Sequence, residues 1–344
     1  MGSSCSNHQA AQNGKPQTDY EEYPLLSPIV NPINRFCDDF ASSLIDELKS
    51  KTTNETSIPT TELEVEGYIT KRCMGFGVES EVFEAEEIRT HIPCAIKHYK
   101  SIKYMDENGP REMTIAMMLD HPNCLKILQC FRSLAGDYIV VMPLATDGSL
   151  NPTNTPQITV VGAVMLLLQI GSALNYMHEK NIMHRDVKPQ NVLLFPDCYQ
   201  LCDYSVSTVL KSSDEKVTGR IGTPLFMAPE VTNNMPYLPR PADMWALGVT
   251  AYSLLYGTFP FNLLDCVDQF GNVNVTRNTF NQPLTFPSLP LVPDELKVIL
   301  SSLLDLNPDT RMTAAELIED QYIVSTYEEW KKASAFLKDG TLDL

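Results

Sequence analysis

The sequence predicts an α+β fold, and three stretches carry the prediction. A strand-like alternation opens near residue 65. An apolar strand, Asp137-Tyr138-Ile139-Val140-Val141-Met142, leads to a turn at Asp147-Gly148, and residues 158–179 form one apolar run of helical length. At 344 residues and 43% hydrophobic content the chain can build a sizeable core, as one large domain or two lobes plus extensions. No run is expected to reach the ~18 apolar residues of a membrane span. The net charge of −17 lacks the basic footprint that binding nucleic acid requires, so no nucleic-acid partner is expected. Nine scattered cysteines, with no C-x-x-C pair and no secretory signal, suit a reducing, cytoplasmic compartment.

The first 64 residues read as an extension. Met1-Gly2-Ser3-Ser4-Cys5-Ser6 matches the acceptor pattern for N-myristoylation on Gly2. One acyl chain holds a membrane only marginally, and Lys15 is the single basic residue up to position 18. Cys5 is therefore expected to supply the second anchor as a palmitoylation site. Residues 7–64 are rich in Pro, Ser, Thr and Asn, as in a flexible segment. Within them Phe36, Phe40, Leu44, Ile45 and Leu48 recur at helical spacing between Asp38, Asp39, Asp46 and Glu47, predicting an amphipathic helix over 35–49 that packs on its own domain.

The candidate chemistry begins with Gly75-Phe76-Gly77-Val78-Glu79-Ser80-Glu81-Val82. Glycines let a hairpin bring its backbone N–H groups close to nucleotide phosphates, with Val82 packing on the base. Cys94-Ala95-Ile96-Lys97 follows at strand distance. A lysine in a cleft needs a carboxylate to hold it, and Glu112 stands fifteen residues on, in Arg111-Glu112-Met113-Thr114-Ile115. The densest chemistry lies in 181–194, where Asp186, Lys188 and Asn191 fall within six residues and run into an apolar strand. Phosphoryl transfer asks for a carboxylate to orient the attacking hydroxyl, cations over the phosphates and ligands for Mg²⁺. Asp186, Lys188 and Asn191 suit those three roles in turn.

These motifs resemble the eukaryotic protein kinases. His184, Arg185, Asp186 and Asn191 match H-R-D-x-x-x-x-N residue for residue, Lys188 is the variant typical of serine/threonine kinases, and Cys94 to Lys97 is similar to the V-A-I-K strand. The resemblance implies a bilobal fold over 65–324. Residues 65–143 would form an antiparallel-sheet lobe with one main helix, 146–324 a larger helical lobe, and 325–344 a tail.

It also implies ATP and Mg²⁺ as cofactors, with Lys97 on the α- and β-phosphates. Met142 falls at the gatekeeper position and Pro143, Leu144 and Ala145 at the hinge. Pro143 has no N–H, but the donor needed there is that of Ala145. Leu193 would floor the base. Leu201-Cys202-Asp203-Tyr204-Ser205 resembles the D-F-G segment, with Asp203 chelating Mg²⁺, Tyr204 needing a partner for its hydroxyl, and Ser205 restricting the loop. Cys202, beside Asp203, reads as a small buried hydrophobe or as an accessible thiol. Glu79, where an aromatic usually caps the phosphates, is expected to face solvent.

Thr223 in Gly222-Thr223-Pro224 would bond Asp186 and Lys188. Ser212, Ser213 and Thr218 are phosphorylation candidates, Thr218 favoured by position, with Arg185 receiving the phosphate; Asp214 and Glu215 offer standing negative charge instead. Asp243 should brace the catalytic loop, and Glu230 should pair with Arg311.

Gly222 to Glu230, Ala242 to Phe261 and Leu306 to Asp320 look most like the calmodulin-dependent protein kinase kinases, although Val82 to Lys97 leaves no room for their Arg-Pro-rich insert. A calmodulin-binding segment would follow the core. The tail, however, sets Lys331, Lys332 and Lys338 against Glu328, Glu329, Asp339 and Asp343, closer to a frayed terminal helix. Two functions are expected to compete: a serine/threonine kinase acting on protein substrates, other kinases among them, and a membrane-tethered pseudokinase scaffold. Lys97, Glu112, Asp186, Asn191 and Asp203 are all present, which favours the first. Mass spectrometry of the native N-terminus should find a myristoyl group on Gly2; an unmodified or acetylated terminus would refute the anchor.

Overall fold

The computed structural model describes residues 63–338, except 66, 77–79, 100–104, 107–108, 135, 152–157, 197, 234, 263–265 and 267–273. Gly2, Cys5, the helix expected over 35–49, and Gly77 and Glu79 lie outside the described residues. The first lobe is a six-stranded antiparallel sheet. Its strands are β1 (Leu63–Val65), β2 (Tyr68–Phe76), β3 (Ser80–Glu87), β4 (Pro93–Tyr99), β7 (Gln129–Arg132) and β8 (Tyr138–Pro143), in the order β1-β2-β3-β4-β8-β7. A short pair, β5 (Met105–Asp106) and β6 (Gly109–Pro110), leads into α1 (Arg111–Met117). Alternation along β4 buries Cys94 and Ile96 in one cluster with Ile139 and Val141 and places Tyr99 in a second with Met113 of α1.

The second lobe is built on α2 (Val160–Glu179), which starts where Thr159 accepts the Gly162 N–H at 3.1 Å. By length and composition α2 is apolar enough to cross a membrane, contrary to the sequence expectation, but its apolar residues serve a core. Leu166, Leu167, Ile170, Leu174 and Met177 have no exposure, and each buried leucine-sized side chain is worth about 2 kcal/mol. The short pairs β9 (Ile182–Met183) with β12 (Thr208–Val209), and β10 (Val192–Phe195) with β11 (Cys198–Leu201), frame the loops that follow α2. Next come α3 (Pro239–Tyr256), α4 (Asp294–Leu303), α5 (Ala314–Glu319) and α6 (Gln321–Lys338). α2 packs on α3, α5 and α6, and α3 packs on α4. A Cβ on Gly248 of α3 would lie 2.9 Å from Leu303 Cβ, so glycine sets how closely those two helices approach.

The architecture is the expected α+β, bilobal one. The last helix runs on through residues 325–338, the stretch that the sequence reads as a tail. Asp320 Oδ1 accepts the N–H groups of Tyr322 and Ile323, and Ile323 is fully buried, which anchors the start of that helix.

Arg311 ties the lobe together from within. Its guanidinium donates to both Glu230 oxygens at 2.6 and 3.0 Å and to Pro241 O at 2.8 Å, and it lies 5.0 Å from the Trp245 ring centroid. The side chain is wholly buried. Arg311→Ala leaves the Glu230 carboxylate unpaired and should lower stability by about 3–5 kcal/mol in denaturant unfolding.

Candidate active site

The loop between β9 and β10 is fixed from below by α3. Asp243 is 1% exposed and accepts three hydrogen bonds: from His184 N at 3.0 Å, from Arg185 N at 2.7 Å and from His178 Nε2 at 3.0 Å. Burial would push this carboxyl up, but the His178 hydrogen bond and charge together with the Arg185 N–H more than offset it, leaving its pKa below the ordinary value. Arg185 adopts φ 70, in the left-handed region, and its clamped N–H helps to hold it there. His184, fully buried, donates from Nε2 to Cys202 O at 3.0 Å and accepts the Asp186 N–H on Nδ1 at 3.2 Å, which fixes its tautomer.

On this base the Asp186 carboxylate is held from two sides. Oδ1 accepts from Thr223 N at 2.8 Å and Thr223 Oγ1 at 2.7 Å; Oδ2 accepts from Lys188 Nζ at 2.7 Å and Asn191 Nδ2 at 3.2 Å. Lys188 Nζ also donates to Thr223 Oγ1 at 2.9 Å, closing the cluster. Asn191 donates to Asp186 O at 2.8 Å, and neither bond uses its carbonyl oxygen. Gly222 makes the approach of Thr223 feasible: it sits at φ +109, and a Cβ there would fall 2.4 Å from Arg185 O.

Between the lobes opens a cleft of about 390 Å³, within the range of small-molecule sites. Gly75, Val82, Ala95, Met142, Pro143, Ala145 and Leu193 line it at one end, and Lys97, Glu112, Asn191 and Asp203 at the other. Pro143 is the last residue of β8, paired with Cys94 across the sheet. Lys97 Nζ bonds Glu112 Oε2 at 2.6 Å and lies 3.4 Å from Asp203 Oδ1. Burial would push the Lys97 ammonium down, yet Glu112 and Asp203 outweigh it and raise its pKa well above the usual value. Asp203 is likewise pushed up by burial and pulled down further by Lys97 and the Ser205 hydroxyl, to about 2. It is therefore an ionised oxygen donor at neutral pH. An apolar slot ending in a cation, a carboxylate and an amide oxygen suits ATP, and that oxygen set suits Mg²⁺. Asn191 and Asp203 would hold the metal.

The D-F-G-like segment departs from expectation in detail. Tyr204 is 2% exposed and donates its hydroxyl to Leu201 O at 2.7 Å, so its polar end is satisfied. The left-handed residue is Asp203, at φ 64, and Ser205 is not among those with positive φ. Serine therefore carries no glycine-type strain in this conformation; its hydroxyl bonds Asp203 instead. Cys202 is half-buried and lines the cleft, where burial, reinforced by the Asp203 charge, pushes its thiol strongly up.

Ser212, Ser213 and Thr218 are all exposed on the segment after β12. The segment is pinned at one end by Leu210 N to Asn181 O, 2.8 Å, and at the other by the Val217 and Tyr237 backbone pair. Arg185 Nε is buried without a hydrogen-bond partner among the described residues. Two contributors escaped the sequence reading. His178 sits on α2 among apolar residues, with nothing in the sequence to link it to Asp243. Tyr99 donates its hydroxyl to Glu112, and the available signal was its place two residues after Lys97 on one strand.

Comparison with known proteins adds a family. A model described as a protein kinase domain matches residues 68–323. CBL-interacting protein kinase 33 of Oryza sativa subsp. japonica is 30% identical over 283 residues, covering 79% of this chain and 60% of that protein. NUAK family SNF1-like kinase 1 of Homo sapiens is 28% identical over 263 residues, 74% of this chain and 38% of that protein. Serine/threonine-protein kinase ppk34 of Schizosaccharomyces pombe is 27% identical over 325 residues, 80% and 89% respectively. The chain thus spans less than two thirds of the first two.

Gly222→Ala should force Thr223 off Asp186. The expected result is a fall of roughly tenfold to a hundredfold in turnover, with far-UV circular dichroism unchanged.

Proposed function

This chain belongs to the protein kinase family, and on that footing we propose that it transfers the γ-phosphoryl group of ATP to serine and threonine hydroxyls of protein substrates. The observation that carries the proposal is the Asp186 carboxylate held by Thr223 and Lys188 at hydrogen-bond distance. A carboxylate so placed orients an acceptor hydroxyl and takes its proton as the new P–O bond forms. Lys188 and Lys97 bring positive charge to the phosphates, and Glu112 and Asp203 hold Lys97 in the cleft. Bound Mg²⁺ supplies neutralisation of the phosphate charge. The Met142 to Ala145 stretch and Leu193 would seat the base.

Similarity of three C-lobe stretches to the calmodulin-dependent protein kinase kinases supports a finer proposal, that the substrates include other kinases. The tail's excess of carboxylates over lysines leaves calmodulin outside it. Acylation on Gly2 and Cys5 would hold the enzyme at the cytoplasmic face of a membrane, and a phosphate on Thr218 would be received by Arg185. The pseudokinase reading rested in part on Ser205, whose backbone is not in the left-handed region.

With ATP, Mg²⁺ and a generic protein substrate, Asp186→Asn should lower phosphate transfer by roughly 10²- to 10⁴-fold relative to wild type. Equal, background-level transfer by the two proteins would favour the membrane-tethered scaffold.

A further inference from the structure

α1 is seven residues long and follows Pro110, which provides no side-chain cap. A helix of that length does not hold itself in water, so the position of Glu112 is set by what grips it. Ile115 and Ala116 pack α1 into the main core, and the grip on the Glu112 carboxylate itself comes from β4. Residues two apart on a strand share a face, and Lys97 and Tyr99 both reach Glu112. Lys97 Nζ donates to Oε2 at 2.6 Å, and Tyr99 Oη donates to the same oxygen. The Tyr99 ring is 8% exposed, packs on Met113 of α1 and Val140 of β8, and lies 5.3 Å from Lys97 Nζ. Burial, with the Glu112 charge beside it, pushes the phenol strongly up, so its hydroxyl remains a donor at working pH.

The two donors are not equivalent. Lys97 is shared between Glu112 and Asp203, and bound phosphates would draw on it again. Tyr99 Oη donates to the Glu112 carboxylate. We propose that Tyr99 is a positioning residue whose hydroxyl latches Glu112, and with it α1, against the sheet before nucleotide binds, leaving Lys97 free to serve the phosphates. The catalytic half of this inference rests on the kinase reading; the latch itself does not.

The test is Tyr99→Phe in the full chain, which keeps the ring and its packing and removes one hydroxyl. In the nucleotide-free protein, amide exchange over residues 111–117 should quicken roughly tenfold or more, the factor that loss of a hydrogen bond to a charged group carries. Exchange in β4 and β8 should stay unchanged. Turnover should fall by a similar factor, and the same substitution on a Glu112→Ala background should cost nothing further, because both act through one carboxylate. Unchanged exchange over 111–117, equal acceleration throughout the first lobe, or an undiminished loss on the Glu112→Ala background would each overturn the latch. If the chain transfers no phosphate, the function reading fails while the exchange result still decides the latch.

Discussion

Everything functional in the C-terminal lobe hangs from one buried carboxylate. Asp243 has almost no exposure and three donors, two of them backbone N–H groups of the loop that carries Asp186. A buried carboxylate without partners would cost several kcal/mol, and this one is satisfied from α2 and the loop at once. The burial that makes it demanding also makes it exact in placement. α3 holds it in a helix anchored by Trp245, which stacks on Phe261 and meets Phe280 edge-on. The position of the catalytic loop is thus inherited from the largest core in the molecule.

A backbone held this way can carry unfavourable angles. Arg185 and Asp203 are both left-handed without being glycine, a cost on the order of 1–3 kcal/mol each. Hydrogen bonds to Asp243 and from Cys202 N to Asn191 O hold the segments on which they lie. The consequence is that Asp186 and Asp203 are presented on separate loops with fixed directions. The first lobe is held differently: its only described helix longer than a turn is short, packs Ile115 and Ala116 into the main core, and has its Glu112 carboxylate gripped by two side chains of β4.

Much of this was legible in the sequence because the chemistry imposes fixed spacings. The pairs Lys97 with Glu112, Thr223 with Asp186, and Glu230 with Arg311 each join opposite charges or a donor and acceptor named by a motif, and each is within 3.0 Å. What the sequence hid falls into two kinds. His178 and Tyr99 sit within apolar helical or strand patterns, where a polar tip is indistinguishable from core until its partner is in place. Ser205 looked like a defect because a glycine was expected, yet the left-handed angle lies at Asp203 and the serine hydroxyl serves that carboxylate.

The central claim is that Asp186, Lys188 and Thr223 form a site for hydroxyl acceptors on serine and threonine. It is tested most directly by the identity of the residue labelled. Incubation with γ-labelled ATP, Mg²⁺ and a peptide mixture of equal serine, threonine and tyrosine content, followed by hydrolysis to phosphoamino acids, should place the label on serine and threonine. Label confined to tyrosine, or none above an enzyme-free control, would contradict the account.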